Sequence, residues 1–466
     1  MTIAQDWKRL PGKANLDITE IEQNNELTVC VEDFSLLTDL YQLTMAACYV
    51  GEGLDERPAS FELFVRRLPE GFGYLIAMGL QQALEYLAEF RFSPKQLSAL
   101  QATGIFDQVP AKFWSLLGEA RFTGNVWAVP EGTAVFANEP LLRVEAPLWQ
   151  AQLVETYLLN TINYQTAIAT RAARIRDVAG PEATLLEFGT RRAFSPQASL
   201  WAARAALAAG FDATSNVLAA IKLGQKPSGT MAHSLVMALA ATSGSEEKAF
   251  AAFHRYFPGS PLLIDTYDSI AAAKMLAEKV NAGEIKLSGV RLDSGDLVTL
   301  SQQVRSLLPG VDIFASGDLD EWEIARLKRE GACIDGYGLG TRLVTGTPIN
   351  GVYKLVEIDG IPTMKQASNK ASYPGRKQIF RRMVNGLVES DRMGLICEDG
   401  MGEQPLLQLV FKDGERVWSE SLEQIRDRTA ISVASLPPNV RQLDTPTPPP
   451  VIISDPLLEL TQKTKR

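Results

Sequence analysis

Residues 288–331 read SGVRLDSGDLVTLSQQVRSLLPGVDIFASGDLDEWEIARLKREG. Two short apolar runs, SGVRLD and VDIFAS, each pass through glycine and aspartate into a segment whose apolar residues have helical spacing. A strand followed by a helix that carries the chain back to start a parallel neighbour is the βα unit, and two in succession point to a parallel sheet covered by helices. The same alternation runs upstream. ATLLEF (183–188) leads to a helix punctuated by Ser195 as N-cap, Pro196 in its first position and Gly210 just past its end. PLLID (261–265) leads to YDSIAAAKMLAEKV, and after VDIFAS the pair Asp318 and Glu321 reads as a cap. A closed or nearly closed α/β barrel over residues 161–350 is the economical architecture for such repeats.

Residues 1–29 are polar and weakly patterned, which predicts an arm. Helical spacing follows from Phe34 to Ala47, with Thr38 or Asp39 available as cap, and again from Leu80 to Phe90. Phe61–Phe64 and Phe122–Val144 read as short antiparallel strands broken by Gly124, Pro130, Gly132 and Pro140. Beyond the barrel, Asp359-Gly360 marks a hairpin turn between YKLVEI and IPTMK. Residues 30–160 together with 351–435 are therefore expected to form one α+β domain, an antiparallel sheet completed by C-terminal strands. From Leu436-Pro437-Pro438 onward the chain turns proline-rich, and 436–466 is expected to be an extended arm.

The chain has 466 residues, 46% of them hydrophobic, which is enough for two or three domains with substantial cores. A net charge of -9 argues against general binding to nucleic acid, whose backbone demands a basic surface. Cys30, Cys48, Cys333 and Cys397 are widely spaced and form no CxxC pair, so neither a zinc site nor a disulfide framework is indicated. The start MTIAQDWKRLPGK lacks the apolar core of a signal peptide, and no uncharged apolar run nears the ~20 residues that span a bilayer. A cytoplasmic protein, neither membrane-bound nor associated with nucleic acid, is expected.

In a barrel, the segments at the C-terminal strand ends build the active site. Here they are rich in polar residues: Gly189-Thr190-Arg191-Arg192, Asp265 to Asp268, Arg291 to Asp296, Ser316-Gly317-Asp318 and Gly336 to Thr341. An aspartate before a helix is usually a cap and a glycine cluster usually a turn. Their recurrence at one end of successive units says more. Glycines that bare backbone N–H groups, with the Thr341 hydroxyl, can cradle phosphate, while aspartates can hold Mg²⁺ or sugar hydroxyls. His233, one of two histidines, sits in Gly229-Thr230-Met231-Ala232-His233-Ser234 at a loop-to-helix junction, where a phosphate can be held and where imidazole can accept a phosphoryl group. His254, in AFHRYF, has aromatic neighbours and reads as structural. The basic stretch Lys365–Arg382 reads as a solvated hairpin or as lying near a nucleotide.

Five blocks, TDLYQLTM (Thr38–Met45), LEFGTRRA (Leu186–Ala193), GTMAHS (Gly229–Ser234), VRLDSGD (Val290–Asp296) and YGLGTRL (Tyr337–Leu343), make the chain resemble nicotinate phosphoribosyltransferase. They occur in that family's order across roughly residues 34–382. The resemblance implies a type II phosphoribosyltransferase, an irregular α/β barrel joined to an antiparallel α+β N-terminal domain, usually a homodimer with shared active sites. The reaction implied converts nicotinate and phosphoribosyl pyrophosphate to nicotinate mononucleotide and pyrophosphate. It is coupled to ATP hydrolysis and requires Mg²⁺, in the salvage of NAD.

By the same resemblance Asp293, with Asp265, serves the ribose or the Mg²⁺, and the 5′-phosphate sits on Ser316, Gly317, Gly338, Gly340 and Thr341. Phe188 stacks on one face of the pyridine ring and Tyr41, from the partner subunit, on the other. Arg291 and Thr230 match the positions that receive the carboxylate, Arg191 is poised near phosphates or ring, and His233 matches the position phosphorylated by ATP. Displacement of pyrophosphate develops positive charge on the ribose, so carboxylates beside the sugar and N–H donors beside the phosphates suit the transition state. The nearest rival, nicotinamide phosphoribosyltransferase, is associated with an aspartate near the ring, where this chain has Ser215. Quinolinate phosphoribosyltransferase would call for more basic residues, a non-catalytic relative for loss of His233, Arg291 or Asp293, and a barrel lyase for a Schiff-base lysine.

Overall fold

The computed structural model describes residues 27–366 and 372–465; the arm expected over 1–29 lies, up to residue 26, outside the described residues. The repeated units form six parallel strands: β1 (Thr184–Glu187), β2 (Ala213–Thr214), β3 (Leu262–Leu263), β4 (Gly289–Leu292), β5 (Asp312–Gly317) and β6 (Gly336–Leu339). They lie side by side in the order β2-β1-β6-β5-β4-β3. This is chain order bent into a ring, with the last strand paired to the first through Leu339 opposite Glu187, and cut once, between β2 and β3. The barrel is irregular for that reason.

Helices follow the strands as their punctuation predicts. In α1 (Pro196–Ala208) the Ser195 hydroxyl accepts the Ala198 N–H at 3.0 Å, and Gly210 exits at φ +105°. Between β2 and β3 the chain inserts α2 (His233–Ser243) and α3 (Glu246–Tyr256). Asp268 caps α4 (Ser269–Asn281), and Asp296 caps α5 (Leu297–Leu307). The cap of α6 (Glu321–Arg329) is not Asp318 but Asp320, whose carboxylate accepts the Glu323 N–H at 2.9 Å. The helix starts two residues later than expected because β5 runs on through Gly317 and Leu319 turns inward, 3% exposed.

The second layer is a seven-stranded sheet in which Pro58–Val65 pairs antiparallel with both Pro140–Pro147 and Gly351–Ile358. Asp359 and Gly360, both at positive φ, make the expected hairpin turn, and the C-terminal strands complete the N-terminal sheet. Residues 436–466 were expected to extend as an arm, but Val451–Ile453 adds in parallel to the strand Leu387–Leu395 and leads into the helix Asp455–Thr464. Leu457 on that helix is fully buried, so the prolines of 446–450 only bridge two packed elements. Among its described residues the basic stretch is partly buried rather than solvated throughout, with Arg382 still exposed. Lys377 is buried against Glu62 and Arg381 against Asp391, while Arg382 pairs with Glu389.

One 25-residue helix, Glu155–Ala179, joins the layers: Tyr157, Leu158 and Ile162 pack in the sheet core, Ile168, Ala172 and Ile175 in the barrel core. Toward its end Arg174 meets Glu321 at 2.9 Å, both side chains 1% exposed, with the guanidinium 4.3 Å from the Phe72 ring. Removing one partner of such a pair leaves a buried charge uncompensated, so Glu321→Ala should lose about 3–5 kcal/mol in urea unfolding. A loss below about 1 kcal/mol, the range of a surface pair, would contradict this account.

A second buried cluster titrates. Asp391 holds Arg381 through two bonds of 2.9 and 2.6 Å, and Glu139 lies against that carboxylate, one oxygen accepting the Phe136 N–H at 2.7 Å and the other facing no donor. Burial first, and then Asp391, push the Glu139 carboxyl well above the usual carboxylate range. An acid raised in the folded state contributes stability that is complete below its unfolded pKa and lost as pH rises through the folded one. Glu139→Gln should therefore melt above the parent by a margin that widens as pH rises above the ordinary carboxylate range. A margin that shrinks with rising pH would reverse the assignment.

Candidate active site

The strand register decides which side chains meet. Ser316 on β5 lies opposite Gly338 on β6, and Leu292 on β4 opposite Ala315 on β5. Arg291 and Gly336–Leu339, expected in segments after the strands, belong to the strands themselves. Glycine occupies β6 because rings fill the space: a Cβ at Gly336 would lie 2.6 Å from the Phe314 ring, and one at Gly338 2.5 Å from the Phe188 ring. Gly317, at φ +113°, closes against the Asp293 carbonyl, 2.9 Å from where its own Cβ would stand.

A continuous chain of hydrogen bonds crosses the ends of β3, β4 and β5. His233, the first residue of α2, places Nε2 3.1 Å from Asp265 Oδ1; its side chain is 38% exposed and that of Asp265 2%. The other oxygen of Asp265 accepts the Asp293 N–H at 2.9 Å and the Ser294 hydroxyl at 2.6 Å. Asp293 Oδ1 in turn accepts the Ser316 hydroxyl. Both oxygens of Asp265 are thus engaged within the chain, whereas Asp293 Oδ2 has no hydrogen-bond partner among the described residues.

Arg291 reaches across the open seam. Its Nη2 donates to the Met231 carbonyl at 2.7 Å, and its guanidinium lies 5.8 Å from the Phe188 ring centroid. Burial lowers its pKa, while Asp293 and Asp265 push it back up and nearby Arg191 pulls it down. A guanidinium stays charged through such opposing shifts. Thr230, half-buried, donates to the same Met231 carbonyl at 3.3 Å. The segment leading to His233 is anchored on the opposite side as well, since the Ser228 N–H donates to Thr214 on β2 at 2.9 Å. Ser215 follows, its N–H bonded to the Glu187 carbonyl at 2.9 Å.

Beside this cluster opens a cavity of about 560 Å³ lined by Asp293, Ser294, Ser316, Gly317, Asp318 and Arg342, among others. Gly340 and Thr341 immediately precede Arg342 at its edge. Arg191 is exposed. Tyr41 stands apart on the helix Leu40–Gly51, 46% exposed, its hydroxyl pKa raised by burial and by Glu155. No hydrogen bond or ring contact joins it to the strand-end cluster among the described residues.

Three polar residues here escaped the reading of the sequence. Glu187 ends β1 fully buried; its signal was a carboxylate inside the apolar run ATLLEF. Glu246, at the start of α3, has its pKa raised by burial and then by Asp265 and Asp268. Arg342 pairs with Asp320 at the mouth of the cavity. Among the described residues no three histidine, cysteine or carboxylate side chains converge as a metal cage, and no helix is long and apolar enough to cross a membrane.

Comparison with known proteins adds the following. Three family profiles match in sequence: the nicotinate phosphoribosyltransferase N-terminal domain at residues 36–163, the nicotinate phosphoribosyltransferase family at 183–312, and its C-terminal domain at 395–461. The last covers most of residues 436–466, the segment expected to be an extended arm. A nicotinate phosphoribosyltransferase of Mycobacterium tuberculosis is 41% identical, covering 90% of this chain and 92% of its own. One from Bacillus subtilis is 45% identical over 79% of this chain and 77% of its own. The crystal structure of human nicotinic acid phosphoribosyltransferase superposes with a TM-score of 0.79 at 32% identity, covering 92% of this chain and 99% of that one.

The packing of Phe188 on Gly338 can be tested directly. Gly338→Ala should displace the ring and destabilise the fold by about 1–3 kcal/mol, the usual cost of overpacking. Adding Phe188→Leu should recover most of that loss in chemical unfolding. Strict additivity of the two changes would mean that the residues do not touch.

Proposed function

The chain belongs to the nicotinate phosphoribosyltransferase family, and from that premise we propose how its strand-end residues transfer phosphoribosyl from phosphoribosyl pyrophosphate to nicotinate. It is an enzyme, and its products are nicotinate mononucleotide and pyrophosphate. The observation that carries the assignment of its residues is the unbroken hydrogen-bond chain His233–Asp265–Asp293–Ser316. It joins blocks far apart in sequence at one mouth of the barrel.

The 5′-phosphate is received by Ser316 and Gly317 and by the backbone of Gly338, Gly340 and Thr341, beside the cavity. Phe188 supplies one face for the pyridine ring. The cation of Arg291 and the hydroxyl of Thr230 pair with the nicotinate carboxylate, with Arg191 toward the phosphates. As the bond from the anomeric carbon to pyrophosphate breaks and the ring nitrogen closes on that carbon, positive charge develops on the ribose, and the Asp293 carboxylate stabilises it. Mg²⁺ is commonly held by one or two carboxylates together with substrate phosphates, which the free oxygen of Asp293 fits; Asp265, fully bonded, is better suited to orienting His233. When bound, the ion neutralises the leaving pyrophosphate.

ATP acts through His233. Asp265 engages Nε2, which leaves Nδ1 as the nucleophile: it bonds to the γ-phosphorus while the bond to the bridging oxygen breaks and ADP departs. The new charge beside the substrates couples hydrolysis of the phosphohistidine to turnover. The exposed Tyr41, without contact to its own cluster, supports a homodimer in which it faces the ring of the other subunit. Four unpaired thiols, Cys30, Cys48 and Cys397 among them exposed, support a reducing cytoplasmic location.

Mononucleotide formation from nicotinate against nicotinamide, with and without ATP, tests these assignments. Nicotinate should be preferred at least about 100-fold, because a half-buried cation faces the substituent. His233→Ala should abolish ATP stimulation and retain uncoupled transfer. ATP stimulation that survives in this variant removes the phosphohistidine, and equal use of the two pyridines removes the role of Arg291.

A further inference from the structure

Glu187 is a carboxylate at the C-terminal end of β1, fully buried, and no basic side chain pairs with it among the described residues. Burying an ionisable group costs free energy that hydrogen bonds must offset. Here both carboxylate bonds run to residues beside the proposed pyridine subsite, Gly189 just after β1 and Thr214 at the end of β2. One carboxylate oxygen accepts the Gly189 backbone N–H, the other accepts the Thr214 hydroxyl, and its main-chain carbonyl accepts the Ser215 N–H at 2.9 Å.

The bonds continue outward. Thr214 Oγ1 accepts the Asn216 N–H at 2.9 Å, Asn216 Nδ2 donates to Ser199 Oγ at 3.2 Å, and Ser199 donates to the Pro196 carbonyl at 2.7 Å. Glu187, Thr214, Asn216 and Ser199 are all buried. The loop from Gly189 to Pro196 is thereby tied at its start and at its end, and the β2 loop is tied between them. Position 189 admits no side chain: a Cβ there would lie 2.2 Å from Val344 and 2.8 Å from Glu187 Oε1.

Resting on the function proposed above, we propose that Glu187 is a positioning residue, which acts through Gly189 and Thr214 to hold Phe188, Arg191 and Ser215 as one rigid frame around the pyridine ring. It touches neither substrate nor the phosphate cavity. Desolvation pushes its carboxyl up and the bonds from Thr214 and Gly189 draw it down, as expected of a buried group stabilised by these contacts alone. Among the described residues no hydrogen bond of the network reaches Ser316, Gly317 or Asp293, and Phe188 meets the phosphate site only by packing at Gly338 and Gly340, so loss of the network should act chiefly on the pyridine subsite.

Thr214→Val removes one hydroxyl while preserving shape, Thr214→Ser restores it, and Glu187→Leu removes both acceptors. The KM for nicotinate should rise about tenfold in the valine and leucine variants, with that for phosphoribosyl pyrophosphate held within about twofold, and the serine variant should return close to the parent. Hydrogen exchange provides a readout independent of substrate identity: amides of residues 189–193 and 215–218 should exchange faster in Thr214→Val, and those of β5 unchanged. Parallel shifts of both KM values, or unaltered exchange in the two loops, would overturn the inference. A parent enzyme that ignores nicotinate would instead overturn the function, while the exchange result would still decide the role of Glu187.

Discussion

The carboxylate of Asp265 is the joint of this site. It is almost wholly buried, and its two oxygens serve three donors on two other segments: the imidazole of His233, and the backbone of Asp293 with the hydroxyl of Ser294. A buried carboxylate with fewer partners would be a liability, since desolvation of an ion costs more than one hydrogen bond returns. With all three, the ends of β3 and β4 and the first turn of α2 are fixed relative to one another. The geometry of Asp293, and through it Ser316, follows from that junction. Catalysis of a displacement with little covalent participation by protein depends mainly on such fixed placement of charge.

The rest of the fold shows the same economy. Polar groups are buried where elements must keep register: Arg174 with Glu321 between the long helix and α6, Lys377 with Glu62 between the C-terminal hairpin and the sheet, and Arg381 with Asp391 across the two strands of that hairpin. Replacing such pairs by hydrocarbon would often be neutral or stabilising, so their presence is better explained by orientation than by net stability. The long helix carries that orientation into the site. It packs one half in each core, and the strand ends of the barrel are therefore held at a set distance from the sheet whose helix bears Tyr41.

Much of this was legible in the chain because the informative rules are local. Ser195, Pro196 and Gly210 bracket α1 as their backbone preferences dictate, and Asp359-Gly360 turns its hairpin. What escaped depends on contacts between distant residues. The glycines of β6 look like a loop, since nothing local says that Phe314 and Phe188 will occupy the space over them. Asp318 and Asp320 are both plausible caps, and only the burial of Leu319 chooses between them. The prolines near 446–450 announce extended chain truthfully, but the strand and helix beyond them are specified by pairing with Asp391–Met393, far upstream. Glu187 was passed over because a lone acidic residue in an apolar strand carries no motif, only an energetic oddity.

The cut in the barrel has a physical reason that follows from the placement of His233. A closed barrel would pair β2 with β3 and leave their edges no free backbone groups. Instead the segment approaching His233 occupies the seam: Ser228 bonds to the exposed edge of β2, Met231 accepts Arg291 from β4, and His233 itself reaches Asp265 at the end of β3. The unpaired edge of β2 is thus partly satisfied by the very peptide that presents the imidazole. Closing the sheet would expel that peptide and take the histidine out of reach of Asp265. In this chain the irregularity of the barrel and the position of His233 are one structural fact.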